Sequence, residues 1–295
     1  MKIAEDFFSR AEKILKTLEL FLPKERNEVL ADAFAWKWKK NKHYAELEPI
    51  IGLDEIDLSD LLHIDRQKSV LEQNTKQFLE NLPANNALLW GPRGTGKSSL
   101  IRALLNNYID DGLRLIEVDR HDLIDLPEII DKVKFEQLKF IIYCDDLSFN
   151  EVDETYRALK TVLDGSVRAT PKNILIYATS NRRHLLPECQ KDNQNSKVTD
   201  GELHLDEAVE EKISLSERFG LWLSFHPLDQ NRYLDIVSHW LKSLGADDEQ
   251  IINAKRNALR WALSRGSRSG RSAHQFARDW IGKSELKKLE ENRKK

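Results

Sequence analysis

Short apolar runs alternate with helix-like stretches through the middle of the chain. The apolar runs cover residues 87–90, 113–118, 140–144, 174–178 and 221–225. The stretches with helical spacing between them cover 97–109, 125–135 and 152–165. Alternation of this kind is typical of a parallel sheet with helices on both faces. The pattern therefore predicts an α/β fold, with an αβα core built on a five-stranded parallel sheet.

Helical spacing dominates both ends of the chain. Phe7, Ala11 and Leu18 lie on one apolar stripe, and a second helical run continues past Pro23 to about Lys40. Three more helices are predicted at 229–244, 248–264 and 272–280. The polar stretch 186–212 has no pattern, as in a functional or disordered loop. We expect a small N-terminal helical region with a connector (1–55), a core (56–226) and a C-terminal helical lid with a basic tail (227–295).

Composition is that of a soluble globular protein. The 295 residues include 46 Lys and Arg and 49 Asp and Glu, a net charge of −3, and 40% are hydrophobic. Apolar runs of about five residues are far shorter than the roughly twenty that a membrane-spanning helix needs. Two cysteines cannot form a disulfide scaffold or, by themselves, a zinc site. A cytoplasmic protein without a membrane partner is expected.

The strongest chemical signal is Gly-Pro-Arg-Gly-Thr-Gly-Lys-Ser at residues 91–98, which matches the phosphate-binding pattern G-x-x-x-x-G-K-[ST]. Glycines let the backbone wrap around a polyphosphate, and the following helix adds its positive N-terminal dipole. Lys97 would reach the β- and γ-phosphates, and Ser98 would bind Mg²⁺. The predicted cofactors are ATP and Mg²⁺. The predicted binding residues are Gly91, Pro92, Arg93, Gly94, Thr95, Gly96, Lys97, Ser98 and Ser99.

Two later apolar runs end in polar residues suited to the same site. The run at 140–144 leads into Asp145 and Asp146. Asp145 is the predicted second metal ligand, and Asp146 would orient or activate the attacking water, with Glu151 as a weaker substitute. The run at 174–178 leads to Asn181, which would hydrogen-bond the water or the γ-phosphate.

Together these segments resemble an AAA+ ATPase over roughly residues 55–285. The resemblance makes Asn181 the sensor-1 residue and Arg218, in Ser-Glu-Arg-Phe-Gly, an arginine finger that serves the site of a neighbouring subunit. Arg271 is the best match to the sensor-2 arginine, with Arg268 second. Asp146, Asn181, Arg218 and Arg271 are thus the predicted catalytic residues. A homo-oligomer with shared ATP sites is implied.

The amino-acid sequence around the motifs is similar to that of one bacterial family, the DUF815 family of ATP-binding proteins. The similar stretches are Tyr-Cys-Asp-Asp-Leu-Ser-Phe at 143–149, Tyr-Ala-Thr-Ser-Asn-Arg-Arg-His-Leu at 177–185 and Ser-Glu-Arg-Phe-Gly-Leu-Trp at 216–222. One departure from the AAA+ pattern is Asp146, where that class usually has Glu. The shorter acid leaves two functions open, a remodelling ATPase and an assembly switch that rarely hydrolyses ATP. A small-molecule kinase fits the loop but not Asn181, Arg218 or the lid.

Two segments rich in Lys and Arg are candidates for contact with a macromolecular partner. Residues 36–44 interleave aromatic and basic side chains, which either stack on nucleic acid or pack one Trp onto the core with the lysines solvated. Residues 255–295 carry thirteen Lys or Arg against four Asp or Glu, a net charge of +9. This basic end would contact nucleic acid or an acidic partner, or it is a solvated helix end. The client is therefore a nucleic acid or a protein complex, and the sequence leaves the choice open.

Overall fold

A computed structural model describes residues 33–40, 45–149, 154–164, 171–182, 197–199, 202–204 and 215–293, with residues 10, 12, 13 and 15. The strands are β1 (Ala35–Lys40), β2 (Ala45–Pro49), β3 (Ala87–Trp90), β4 (Leu113–Val118), β5 (Lys139–Cys144), β6 (Ile174–Ser180), β7 (Lys197–Thr199), β8 (Glu202–His204) and β9 (Leu221–Ser224). The α-helices are α1 (Asp65–Leu79), α2 (Lys97–Tyr108), α3 (Leu126–Val133), α4 (Glu154–Asp164), α5 (Gln230–Ser243), α6 (Asp248–Ser264) and α7 (Gly270–Arg293).

The main sheet is mostly parallel, with strands in the order β2-β1-β4-β5-β6-β3-β9. Every neighbouring pair except β1 and β2 is parallel. The five predicted strands are adjacent in this order, which confirms the α/β class. The predicted strand number is wrong, because the main sheet has seven strands rather than five. β7 and β8 form a separate antiparallel pair.

The two additional strands come from the segment predicted as helix up to Lys40 and the connector that follows it. Residues 35–40 instead form β1, which pairs with the edge of β4, and β2 folds back on β1. The alternation of Trp36, Lys37, Trp38 and Lys39 has the period of two that suits a strand with one buried face. Both tryptophans are fully buried, so neither stacks on nucleic acid. The predicted helices further towards the N-terminus and the loop 186–212 fall largely outside the described residues.

Helices cover both faces of the sheet, and a helical unit follows it. α3 and α4 pack on one face, and α1 and α2 pack on the other. The helical unit, defined as α5, α6 and α7, has its own apolar core around Tyr233, Val237 and Phe276. α7 is longer than predicted, because it runs through the Lys-rich tail to Arg293. Among the described residues, no helix combines the length and the apolar character needed to cross a membrane.

Candidate functional site

Three neighbouring strands of the sheet deliver the predicted site residues to one edge. β5, β6 and β3 are adjacent and parallel, so their carboxyl ends lie side by side. β3 leads into the loop Gly91–Gly96, β5 into Asp145 and β6 into Asn181. In open parallel sheets, ligands bind in the crevice outside these strand ends. The topology therefore brings three separate sequence motifs to a single place.

Two glycines allow the loop to pack closely on later parts of the chain. Gly91 has φ +142°, and a Cβ there would lie 2.2 Å from the carbonyl oxygen of Phe225. Gly94 has φ +75°, and a Cβ there would lie 2.8 Å from Ser269 Oγ. The amide of Gly270, the first residue of α7, also donates to the carbonyl of Gly94 at 2.8 Å. The loop is thus packed directly against the start of α7.

Gly94→Ala should destabilise the protein more than a glycine replacement at a comparable but open position. Gly245 has φ +87°, and a methyl group added there would have no other atom within 4 Å, so Gly245→Ala isolates the backbone strain of about 1–2 kcal/mol. Gly94→Ala should lower the free energy of unfolding by that amount and by the additional cost of displacing Ser269. Chemical unfolding of both variants measures the difference, and equal losses would contradict the close contact.

Lys97 is the first residue of α2 and is 6% exposed. Its Nζ donates to the carbonyl of Gly91 at 2.6 Å, the carbonyl of Pro92 at 2.8 Å and Asn181 Oδ1 at 3.2 Å. Burial lowers the pKa of Lys97 to about 8, while Asp145 and Asp146 act in the opposite direction. Lys97 is therefore still mostly protonated at neutral pH and supplies a cation at the loop.

Ser98 and Asp145 form the polar contact between the loop and β5. Ser98 Oγ donates to Asp145 Oδ1 at 2.9 Å, and Thr179 Oγ1 donates to the same oxygen at 2.5 Å. Loss of water around the Asp145 carboxyl favours a higher pKa, but the hydrogen bonds from Thr179 and Ser98 outweigh it and lower the pKa. Asp145 is thus held as a carboxylate, the form that binds a divalent cation.

Asp146 occupies an unusual backbone position and is held by three neighbours. Its φ is +51°, in the left-handed region that Asp and Asn tolerate better than longer side chains. Its amide donates to Thr179 Oγ1 at 2.9 Å. Its carboxylate accepts from Arg93 at 3.0 Å and from Asn181 Nδ2. The backbone gives a physical reason for Asp rather than Glu here.

A cavity of about 420 Å³ opens beside the loop and extends towards the helical unit. Loop and helix residues 94–99, together with Arg102 and Asp145, contribute polar groups to its lining. Leu62, Ile236 and Trp240 are among its apolar lining residues. The volume lies within the range of roughly 300–1,000 Å³ usual for sites that bind small molecules.

Two His–Asp contacts join the core to the helical unit above this cavity. His239 Nε2 on α5 lies 2.9 Å from Asp60 Oδ1, and His63 Nε2 lies 3.0 Å from Asp235 Oδ2 on α5. The segment before α1 and helix α5 thus each supply one histidine and one aspartate. These contacts and the bond from Gly270 to Gly94 place the helical unit over the loop.

The two predicted sensor-2 arginines differ in their placement, and so does Arg218. Arg271 lines the cavity near Lys97, whereas Arg268 is exposed and is not part of the lining.

Arg218 also lies outside the lining and forms an ion pair with Asp164 at the end of α4. Glu151 lies outside the described residues. Of the predicted residues, the structure therefore brings together the loop, Asp145, Asp146, Asn181 and Arg271, but not Arg218.

Sequence reasoning missed Thr179 and Tyr143. Thr179 hydrogen-bonds both acids at the end of β5, and its position two residues before Asn181 at a strand end was the available signal. Tyr143 is fully buried on the α2 side of the sheet, and strand alternation places it on the same side as Asp145. Its only signal was a hydroxyl two residues before Asp145 in the otherwise apolar run 140–144.

A family model described as "Protein of unknown function (DUF815)" matches residues 31–284, most of the chain. The chain belongs to the DUF815 family. A search of curated proteins found no significant match. Membership in the DUF815 family confirms the narrower of the two resemblances found in the sequence. The family description assigns no activity, so a function has to be argued from the site itself.

Proposed function

We propose that this DUF815 protein is an AAA+ P-loop ATPase that binds ATP and Mg²⁺ at the Gly91–Ser99 segment. The observation that carries the proposal is the 2.9 Å hydrogen bond from Ser98 to Asp145 beside the buried Lys97. A metal-binding hydroxyl, a carboxylate and a phosphate-binding amine thus meet at one glycine-rich loop. The order of the five parallel strands from β4 to β9 supports the same fold family.

The cavity suits a nucleotide in both its polar and its apolar part. Lys97 and the N-terminus of α2, which has no side-chain cap, would face the phosphates. Arg271 would add a second positive charge from the helical unit. The apolar lining residues Leu62 and Trp240 would contact the adenine, so ATP binding would tie the helical unit to the core.

The metal-binding residues present fit Mg²⁺ held jointly with a nucleotide. Among the described residues, no group of three or more His, Cys, Asp or Glu side chains could hold a metal by itself. Ser98 and Asp145 are two oxygen ligands, and Mg²⁺ in such sites is usually completed by substrate phosphates and waters. When bound, Mg²⁺ would neutralise charge that develops on the transferred phosphoryl group.

Hydrolysis would depend on Asp146 and Asn181. Asn181 hydrogen-bonds both Lys97 and Asp146, so it can align the attacking water with the terminal phosphate. Asp146 would orient that water or accept its proton. Arg218, which forms an ion pair with Asp164 at the end of α4, would act on the site of a neighbouring subunit, as the AAA+ resemblance implies. Turnover should then require a homo-oligomer, and the work done would be the remodelling of a nucleic-acid or protein client.

Asp146→Asn should leave ATP binding intact and reduce ATP turnover at least about a hundredfold, the usual contribution of a general base. Asn tolerates the left-handed backbone, so the substitution changes the charge with little strain. Calorimetry with ATP and phosphate release measure the two effects separately. Asp229→Asn, at the exposed N-cap of α5, is the matched control and should retain full turnover. Unchanged turnover in Asp146→Asn would contradict the role of Asp146.

An ATP-dependent assembly switch is the second candidate function. The observation that favours it is the engagement of the short Asp146 carboxylate by Arg93 and Asn181, which competes with binding of a water. A switch would bind ATP and assemble without measurable turnover. Arg93→Ala separates the candidates, since removing one of the two side chains that engage Asp146 should raise turnover in an ATPase and leave it undetectable in a switch.

A further inference from the structure

The Tyr143 hydroxyl is a buried polar group beside the proposed metal ligands. Tyr143 is 0% exposed and packs in the apolar core between the sheet and α2. Its hydroxyl has no hydrogen-bond partner within the described part of the chain. A buried hydroxyl without a partner is rare in folded proteins, and each such group calls for an explanation.

Tyr143 lies on β5 two residues before Asp145, so strand alternation places the two side chains on the same side of the sheet. The two donors already on Asp145, Ser98 and Thr179, both use its Oδ1 atom. A third donor would further restrict rotation of the whole carboxylate about its Cβ–Cγ bond.

We propose that Tyr143 is a positioning residue of the metal site, whose hydroxyl donates to Asp145 once ATP and Mg²⁺ are bound. Ser98 would then bind the metal through its oxygen, so Asp145 would depend more on its remaining donors. Hydrogen bonds to metal-ligating carboxylates commonly orient them and raise metal affinity. This inference rests on the proposed function, and it adds a residue that does not itself touch the metal or the nucleotide.

Tyr143→Phe tests the proposal, with Tyr177→Phe as the matched control. Tyr177 lies opposite Tyr143 on β6, is equally buried in the same core, and its hydroxyl contacts Asn74 at 3.0 Å and Thr75 at 2.9 Å, away from the site. The affinity for ATP is measured by calorimetry in MgCl₂ and in EDTA. The ratio of the two affinities reports the contribution of the metal.

In Tyr143→Phe, the ratio of the affinity in MgCl₂ to the affinity in EDTA should fall about tenfold, and the affinity in EDTA should not change. Removing residues that orient metal ligands typically has an effect of this size. Without nucleotide the variant should unfold at the same or a higher temperature, because it loses only an unpaired hydroxyl. Tyr177→Phe should show the opposite, an unchanged ratio and a lower unfolding temperature. A ratio within twofold of wild type in Tyr143→Phe, or an equal fall in Tyr177→Phe, would overturn the proposal. A wild-type protein that does not bind ATP, or binds it equally with and without Mg²⁺, would instead overturn the proposed function.

Discussion

Lys97→Met should weaken ATP binding by about a hundredfold or more. Lys97 is the buried cation at the loop, and each charge-assisted hydrogen bond that it makes to a phosphate is worth about 1.5–3 kcal/mol. Two such bonds, to the β- and γ-phosphates, account for the expected loss. Methionine keeps the length of the side chain while removing the charge. Calorimetric titration with ATP and MgCl₂ measures the change in affinity.

Lys139→Met is the matched control for this experiment. Lys139 is also buried, and its Nζ donates to Asn81 Oδ1 at 2.8 Å and to the carbonyl of Lys172 at 3.0 Å. It lies at the start of β5, whereas the site lies at the carboxyl end of that strand. Lys139→Met should therefore keep wild-type ATP affinity. Equal losses in the two variants would mean that Lys97 acts on folding rather than on ATP.

Arg218→Ala should lower ATP turnover by about a thousandfold in the assembled protein and leave the affinity for ATP within a few fold of wild type. An arginine that stabilises charge on the transferred phosphoryl group contributes roughly 10³–10⁵ to the rate. Phosphate release at a chain concentration that supports assembly measures the effect. Asp164→Ala is the matched control, because it removes an ion-pair partner of Arg218 in its own chain. If Arg218 only stabilised its own chain, both variants would lose ATP turnover to the same extent. If Arg218 acts on the transferred phosphoryl group, Asp164→Ala should keep its turnover.

Mixing two inactive variants tests whether Arg218 acts on a neighbouring subunit. Lys97→Met keeps Arg218 but should bind ATP only weakly, and Arg218→Ala should bind ATP but lacks the arginine. Mixed assemblies should recover turnover above the sum of the separate proteins. No recovery in particles shown by mass measurement to contain both variants would contradict a shared site.

The sequence was sufficient to predict the central part of the fold. The apolar runs at β3, β4, β5 and β6 were located to within two residues, because buried parallel strands are nearly continuous in apolar residues. β1 was missed because its alternating Trp and Lys residues follow an apparent helical stripe, which hid their period of two. The place of β1 in the sheet depends on pairing with β4, which lies far away in the sequence.

Residues of the candidate site were identified from the sequence where a motif names them and missed where only the fold brings residues together. Residues 91–98 match a phosphate-binding pattern by their spacing alone. Thr179 and the pairing of Asp60 with His239 depend on contacts between distant elements, which no local pattern encodes. The left-handed backbone at Asp146 likewise became apparent only in the structure, where it gives a reason for the shorter acid.

The most direct test of the account is the rate of phosphate release per chain, measured with ATP and MgCl₂ over a hundredfold range of chain concentration. The account predicts that the rate per chain rises with concentration, as the shared sites assemble, and is lost in Lys97→Met. A wild-type chain that neither binds nor hydrolyses ATP at millimolar concentration, or turnover that persists in Lys97→Met, would contradict it.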